Sequence, residues 1–180
     1  RPGHRRDQGG ARGRGRLTVA VPSGRADDPE LRLQHALDLA SRYLGYRDRT
    51  VLEVRRHLEA KRVEPDTIDQ VVDELGRQGY LDDARYARQY TADRRRLDGW
   101  GDERIERKLL SAGVAPELVA AALAERGDES ELEAAVRVLR GRFRTVPETD
   151  RDKQRALGFL VRKGYDLELA YDALRAYARS

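Results

Sequence analysis

Carboxylates, imidazoles and guanidiniums are the side chains in this chain that could do chemistry, and their spacing decides which kinds. Asp82 and Asp83 come nearest to paired carboxylates for acid–base work or for a hard cation. Adjacent residues at a helix start point in different directions, however, and an N-cap role accounts for Asp82 in full. His4, His35 and His57 are never spaced as a ligand pair, so no metal site is expected. The chain has no cysteine, which excludes disulfides, thiol catalysis, cysteine-ligated zinc and iron–sulfur clusters. It has no G-x-x-x-x-G-K-S/T loop with which to bind and hydrolyse ATP, and no G-x-S-x-G elbow. No catalytic residue and no cofactor are expected, and enzyme activity is disfavoured.

The guanidiniums are more informative. They cluster as Arg94, Arg95 and Arg96, then Arg104, Arg107 and Lys108, then Arg137, Arg140, Arg142 and Arg144. Arg137, Arg140 and Arg144 lie three and four residues apart, so on a helix they share one face that could meet a phosphate row or an acidic protein surface. The competing account is a solvated face with partners at i,i+4, such as Glu133 with Arg137. Trp100, the only tryptophan, either anchors a turn into the core or offers an exposed interface anchor.

Helices must position these side chains. Charged residues make up 38% of the chain and aromatics 6%, with Ala, Leu, Arg and Glu dominant, which favours helix because these side chains lose little rotamer freedom there. The punctuation divides the chain from Leu31 onward into nine helical stretches. Leu31 to Arg47 carries apolar residues at helical spacing, Thr50 with Glu53 reads as a capping box for a helix through Lys61, and Pro65 opens a third helix ending at Gly76 or Gly79. Asp82 is the expected N-cap of a helix through about Arg96. Gly99-Trp100-Gly101 is a turn, a further helix runs to Ala112, and Pro116 to Arg126 follows Gly113. Ser130 to Arg144, a helix through Lys163 capped by Gly164, and Leu167 to Ala178 complete the set.

At an offset of 51 residues the chain repeats itself. Val54, Ile105 and Ala156 fall in one column, then Leu58, Leu109 and Leu160, then Val63, Val114 and Tyr165, then Ile68, Val119 and Ala170, then Val72, Leu123 and Leu174. All fifteen positions are apolar, where an apolar fraction of 39% would fill about six by chance. The expected fold is therefore all-α: three tandem three-helix repeats of about 51 residues, spanning 28–79, 80–127 and 128–180, stacked into an elongated, curved body. Such bodies present long surfaces to macromolecules.

Residues 1–27 are expected to form a disordered, basic, Arg/Gly-rich tail that serves as a tether or as an electrostatic hook for nucleic acid. Residues 1–25 hold seven Arg against the single Asp7, and the rest of the chain holds 29 basic and 31 acidic side chains. The net +4 is thus a property of the tail, and the repeats are near neutral. No apolar run approaches a membrane span and Arg1 to Gly24 lacks a signal-peptide centre, so a soluble, cytoplasmic protein with no membrane partner is expected. Methionine is absent, even at position 1, so residues upstream of Arg1 are expected.

Four stretches in order resemble the RecX family of regulators of the RecA recombinase. Arg47-Asp48-Arg49-Thr50 with Glu53-Val54 and Leu58 resembles the opening R-x-R-S/T-x-x-E-L-x-x-x-L, with Val54 for the commoner Leu. Gly79-Tyr80-Leu81-Asp82-Asp83 with Tyr86-Ala87 and Tyr90 resembles G-Y/F-L/I-D/N-D-x-x-F/Y-A. Gly101 with Arg104-Ile105, Leu109 and Gly113-Val114, and Phe159-Leu160 with Arg162-Lys163-Gly164-Tyr165, resemble the family's later segments. The resemblance covers about Leu31 to the C-terminus. It implies tandem three-helix repeats and a protein that binds the RecA filament on single-stranded DNA, most often to inhibit recombination and the recombinase's ATPase in DNA repair and the SOS response. On this basis the expected partners are the RecA filament and single-stranded DNA, the latter reached directly through the tail, and the chain is expected to be a monomer. The alternative is a helical-repeat nucleic-acid-binding protein or transcriptional repressor acting through the basic faces and the tail, against which the near-neutral repeats argue. A scaffold for another partner is a third alternative.

Overall fold

A computed structural model describes residues 28–179; the expectations for the tail lie outside the described residues. Among the described residues the regular structure is helical throughout. The first repeat holds α1 (Pro29–Leu44), α2 (Val51–Ala60) and α3 (Pro65–Arg77). The second holds α4 (Asp83–Asp93), a π-helical turn Arg94–Asp98, α5 (Asp102–Ser111) and α6 (Pro116–Ala124). The third holds α7 (Glu131–Arg142), α8 (Asp150–Lys163) and α9 (Leu167–Ala178).

Helices α1, α2, α4, α7, α8 and α9 start where a short polar side chain satisfies orphan N–H groups. Thr50 and Glu53 form a reciprocal capping box, with the Glu53 N–H donating to Thr50 Oγ1 at 3.2 Å and the Thr50 N–H to Glu53 Oε2 at 3.1 Å. Ser130 and Glu133 repeat the device at α7. Proline opens α3 and α6, where its missing N–H costs nothing.

Several helix ends fall short of expectation: α1 stops at Leu44 rather than Arg47 and α6 at Ala124 rather than Arg126, and two others have a structural cause in plain view. α4 stops at Asp93 and widens into the π turn, which carries the Arg95 guanidinium inward to Asp102 and to carbonyls at the end of α6. α7 stops at Arg142 because Phe143 takes an extended conformation (φ −113°, ψ 115°) and its carbonyl accepts the Tyr177 hydroxyl of α9 at 2.7 Å.

In each repeat the first helix packs on the third, α1 on α3, α4 on α6 and α7 on α9. Twelve of the fifteen column residues are buried and Val63, Val72 and Leu123 are half-buried, so every column faces a core. Stacking was expected to complete those cores. The structure instead closes one around Leu58 and Ile68, another around Ile105 and Leu109, and a third around Leu160 and Tyr165. Three helices per repeat shield most of an apolar centre, with Leu81 at the start of the following repeat completing the first, and polar groups dominate the joints.

Those joints repeat as faithfully as the cores. The Thr50 hydroxyl, at the N-terminus of α2, donates to the Ala112 carbonyl at 2.6 Å, and the Gly101 N–H, 51 residues on, donates to the Lys163 carbonyl at 2.9 Å. Beside these bonds the first N–H of α2, from Val51, donates to Asp83 Oδ1 at 3.0 Å, and the first N–H of α5, from Asp102, donates to Glu131 Oε1 at 3.1 Å. Asp83 and Glu131 are each the first residue of the following repeat's first helix. The second helices of the first two repeats, α2 and α5, thus present their positive N-terminal ends to a carboxylate and a carbonyl of the next repeat.

The residue after each accepting carbonyl is left-handed: Gly113 has φ +84° and Gly164 has φ +94°. A Cβ on Gly113 would strike Leu52, and one on Gly164 would strike the backbone of Arg104. The corresponding residue of the first repeat is Arg62, which shares the left-handed conformation at φ +61°. No earlier described repeat docks there, so a side chain is tolerated. Gly164→Ala should lower stability by about 2 kcal/mol or more through combined strain and overpacking, while Arg62→Gly should change it by less than about 1 kcal/mol. Chemical denaturation of the two variants checks this; equal losses would refute the role of the close approach.

Candidate interaction surfaces

The two adjacent carboxylates diverge, and both serve the fold. Asp82 Oδ1 accepts the Arg85 N–H at 2.9 Å as the cap of α4, while Asp83 crosses to α2. Burial pushes the Asp83 carboxyl above its ordinary range, against the opposing pull of the Val51 N–H. Burial raises Glu131 likewise, opposed by the Asp102 N–H. Tyr165, buried at the second joint and donating to the Gly99 carbonyl at 3.3 Å, is pushed up to about 12 by burial. His57 stacks on Tyr43 with ring centroids 4.0 Å apart, and burial, then Lys61 and Arg49, lower its pKa. His35 is exposed. Among the described residues no group of three His, Asp or Glu side chains is placed to hold a metal.

The consecutive arginines of the π turn go three ways. Arg94 pairs with Asp98 at 2.5 Å and lies over the Tyr90 and Trp100 rings at 5.0 and 5.4 Å. Arg95 turns inward, bonding Asp102 at 3.0 Å and the carbonyls of Leu123 at 2.7 Å and Glu125 at 3.0 Å. Arg96 projects outward beside Asp93 at 3.3 Å. Arg126 reaches Asp102 as well, so this one carboxylate ties the π turn, α5 and the α6–α7 connection together.

Arg104 covers the Trp100 ring at 4.0 Å and donates to the Arg162 carbonyl at 2.9 Å, spanning the joint to the third repeat. Trp100 is half-buried against the second core and meets Tyr90 edge-on at 6.4 Å. Arg107 and Lys108 are exposed on α5. On α7, Arg137 and Arg140 share a groove with Asp128, Glu129 and Glu133. Arg137 does not pair with Glu133, which is engaged in the capping box, but takes Glu129 through two bonds at 2.8 and 3.0 Å. Glu129 is held below its ordinary range chiefly by that bond. Arg144 lies beyond the end of α7, so it leaves the helix face it was expected to share with Arg137 and Arg140.

Arg142 stands apart from the other nine candidates. It lines a groove with Phe143, Arg151, Gln154, Arg155, Phe159 and Arg162, between the end of α7 and α8. Arg151 and Arg155 were not picked out as candidate contacts by their position in the sequence. The available signal was their i,i+4,i+11 spacing with Arg162, which puts all three on one side of α8.

Models of three consecutive domains match the chain: the RecX first three-helix domain over residues 36–75, the second over 82–123 and the third over 128–174. The chain belongs to the RecX family. It is similar to the regulatory protein RecX of Mycolicibacterium smegmatis, 31% identical over 161 residues that cover 86% of each chain. It also resembles that of Trichlorobacter lovleyi, 37% identical over 134 residues covering 72% of this chain and 87% of the other. The crystal structure of RecX from Lactobacillus salivarius superposes with a TM-score of 0.73 at 20% identity, over 83% of this chain and 98% of that one, and shares the fold. The three family domains coincide with the three cores, and the joints lie between them.

Because Asp83 and Glu131 have raised pKa values in the folded RecX-family chain, the folded state binds their protons more tightly than the unfolded state does. Their ionisation therefore opposes folding above the folded pKa, and that cost disappears as pH falls toward the unfolded value of about 4. Asp83→Asn with Glu131→Gln keeps an acceptor at each joint and should remove this stabilisation on acidification from the interval just above the ordinary carboxylate range. Urea unfolding across that interval checks it, and a stability–pH curve parallel to that of the wild type would refute the assignment.

Proposed function

We propose that the chain binds the RecA filament on single-stranded DNA and inhibits strand exchange and ATP hydrolysis by the recombinase, in DNA repair and the SOS response. The observation that carries this reading is the repetition of the polar joint, Thr50 to Ala112 and Gly101 to Lys163, which links three separately cored repeats in series. A serial body of this kind offers spaced contacts to a polymer whose own subunits repeat, and simultaneous weak contacts multiply through effective concentration. Held across neighbouring subunits, it obstructs the incoming duplex and biases subunits between nucleotide states, which requires differential affinity for those states. That the similar proteins of Mycolicibacterium smegmatis and Trichlorobacter lovleyi are regulatory proteins RecX supports a regulatory role.

The outward arginines supply the candidate contacts to the filament: Arg96 on the π turn, Arg107 and Lys108 on α5, and Arg140 with Arg144 at the end of α7. Arg94, Arg95 and Arg104 act on this surface through the Tyr90, Trp100 and Asp102 side chains they hold. The Arg-rich tail adds electrostatic attraction to DNA, and the chain acts as a monomer.

The test is RecA ATPase and strand exchange on single-stranded DNA with the full chain and with residues 28–180. Inhibition that survives tail removal, with a weaker salt dependence, assigns recognition to the repeats. No effect from either protein would sink the proposal. Reversing Arg140 and Arg144 to Glu should weaken filament binding by about tenfold or more, at about 1.4 kcal/mol per decade, with an unchanged thermal melt. Wild-type binding by that variant would assign the face to solvent.

A further inference from the structure

The groove between the end of α7 and α8 has a volume of about 710 Å³ and differs in charge from its neighbour on α7. The α7 groove mixes arginines with Asp128, Glu129 and Glu133, whereas no acidic residue lines this one. Four arginines do: Arg142, Arg151, Arg155 and Arg162. All four are exposed, and among the described residues only Arg155 has an ion pair, to Asp152 at 3.4 Å on the open surface. Such a pair contributes little and is easily exchanged.

Arg151, Arg155, Gly158 and Arg162 follow one another at i, i+4, i+7 and i+11 along a single face of α8, a stripe of about 16 Å at 1.5 Å per residue. Gly158 adds no side chain to the stripe, and a Cβ there would come within 3.2 Å of Arg162 Nη1. The floor is aromatic, with Phe143 and Phe159 packed edge to face at 6.0 Å and Arg142 5.7 Å from the Phe143 ring. The Tyr177 hydroxyl, bonded to the Phe143 carbonyl, holds this corner in place.

We propose that the Arg142–Arg151–Arg155–Arg162 groove is a binding site for the phosphate backbone of a single-stranded nucleic acid, with Phe143 and Phe159 as its apolar floor. Guanidinium forks bond phosphate oxygens through two parallel N–H groups, and a row of them tracks a backbone without reading sequence. Aromatic rings between the cations fit an unpaired strand, whose bases are free to contact them, and offer nothing to a closed duplex. The site engages the free strand and needs no filament, so its failure would leave the recombinase reading standing, and the reverse holds too.

The test uses the full chain and a short fluorescent oligothymidylate, with a labelled duplex of the same length and labelled poly-glutamate as parallel probes, in anisotropy titrations over a series of salt concentrations. Arg151→Gln with Arg162→Gln removes two charges from the groove, and Arg56→Gln with Arg88→Gln removes two from exposed positions elsewhere. Circular dichroism and thermal melts establish that both variants fold as the wild type does. The groove variant should bind about tenfold more weakly, with the slope of log affinity on log salt shallower by about 1.4, two contacts at about 0.7 each for a single strand. The charge-matched variant should stay near the wild type. Equal losses in the two variants would mean diffuse attraction and overturn the site. So would unchanged binding by the groove variant, a loss seen only with duplex DNA, or a loss confined to poly-glutamate, which would make the groove a site for an acidic protein.

Discussion

The architecture depends on one close approach, made twice: the N-terminus of a repeat's second helix against the left-handed turn before the third helix of the next repeat. An α-helix N-terminus carries unsatisfied N–H groups and a partial positive charge, and here both are met by the neighbouring repeat. Val51 and Asp102 donate to Asp83 and Glu131, while Thr50 and Gly101 donate to the carbonyls of Ala112 and Lys163. The approach is short enough that Gly113 and Gly164 have no room for a side chain. Because the bonds are directional, they fix the angle between successive repeats in a way that an apolar contact would not.

Burying a carboxylate at each joint has a cost, visible in the raised pKa values of Asp83 and Glu131. The return is positional. At the second joint Arg95 and Arg126 converge on Asp102, and Arg104 and Lys163 cross to carbonyls of the facing repeat, Lys163 reaching Asp98 at 2.6 Å. The second joint is therefore more heavily bonded than the first, where Thr50, Asp83 and the packing of Leu52 on Gly113 carry the contact. Arginines that look like a single basic run thus divide by duty. Some are tie-rods of the joint, and others project outward into solvent.

The same division explains the chemistry left for binding. The groove on α7 neutralises itself, since Glu129 takes both donors of Arg137. The groove on α8 does not, because no carboxylate lines it among its arginines. Two grooves of similar size on adjacent faces of one repeat therefore differ in what they can attract.

The sequence by itself determined the helices, the three-fold repeat and the positions of the cores. Apolar columns such as Leu58, Leu109 and Leu160, caps such as Thr50 and Ser130, and the glycines at 113 and 164 act within a few residues of themselves, so their periodicity carries their meaning. Only the tertiary structure decided which charges remain at the surface. Arg95 and Arg96 are neighbours of the same type, yet one is consumed by carbonyls about thirty residues away and the other faces solvent. Arg142 joins Arg151, Arg155 and Arg162 only because Tyr177 ends α7 at Phe143 and turns that corner over α8. A guanidinium reaches several ångströms from its backbone and accepts any oxygen it meets, so its role is set by what the fold brings within that reach, which local sequence does not encode.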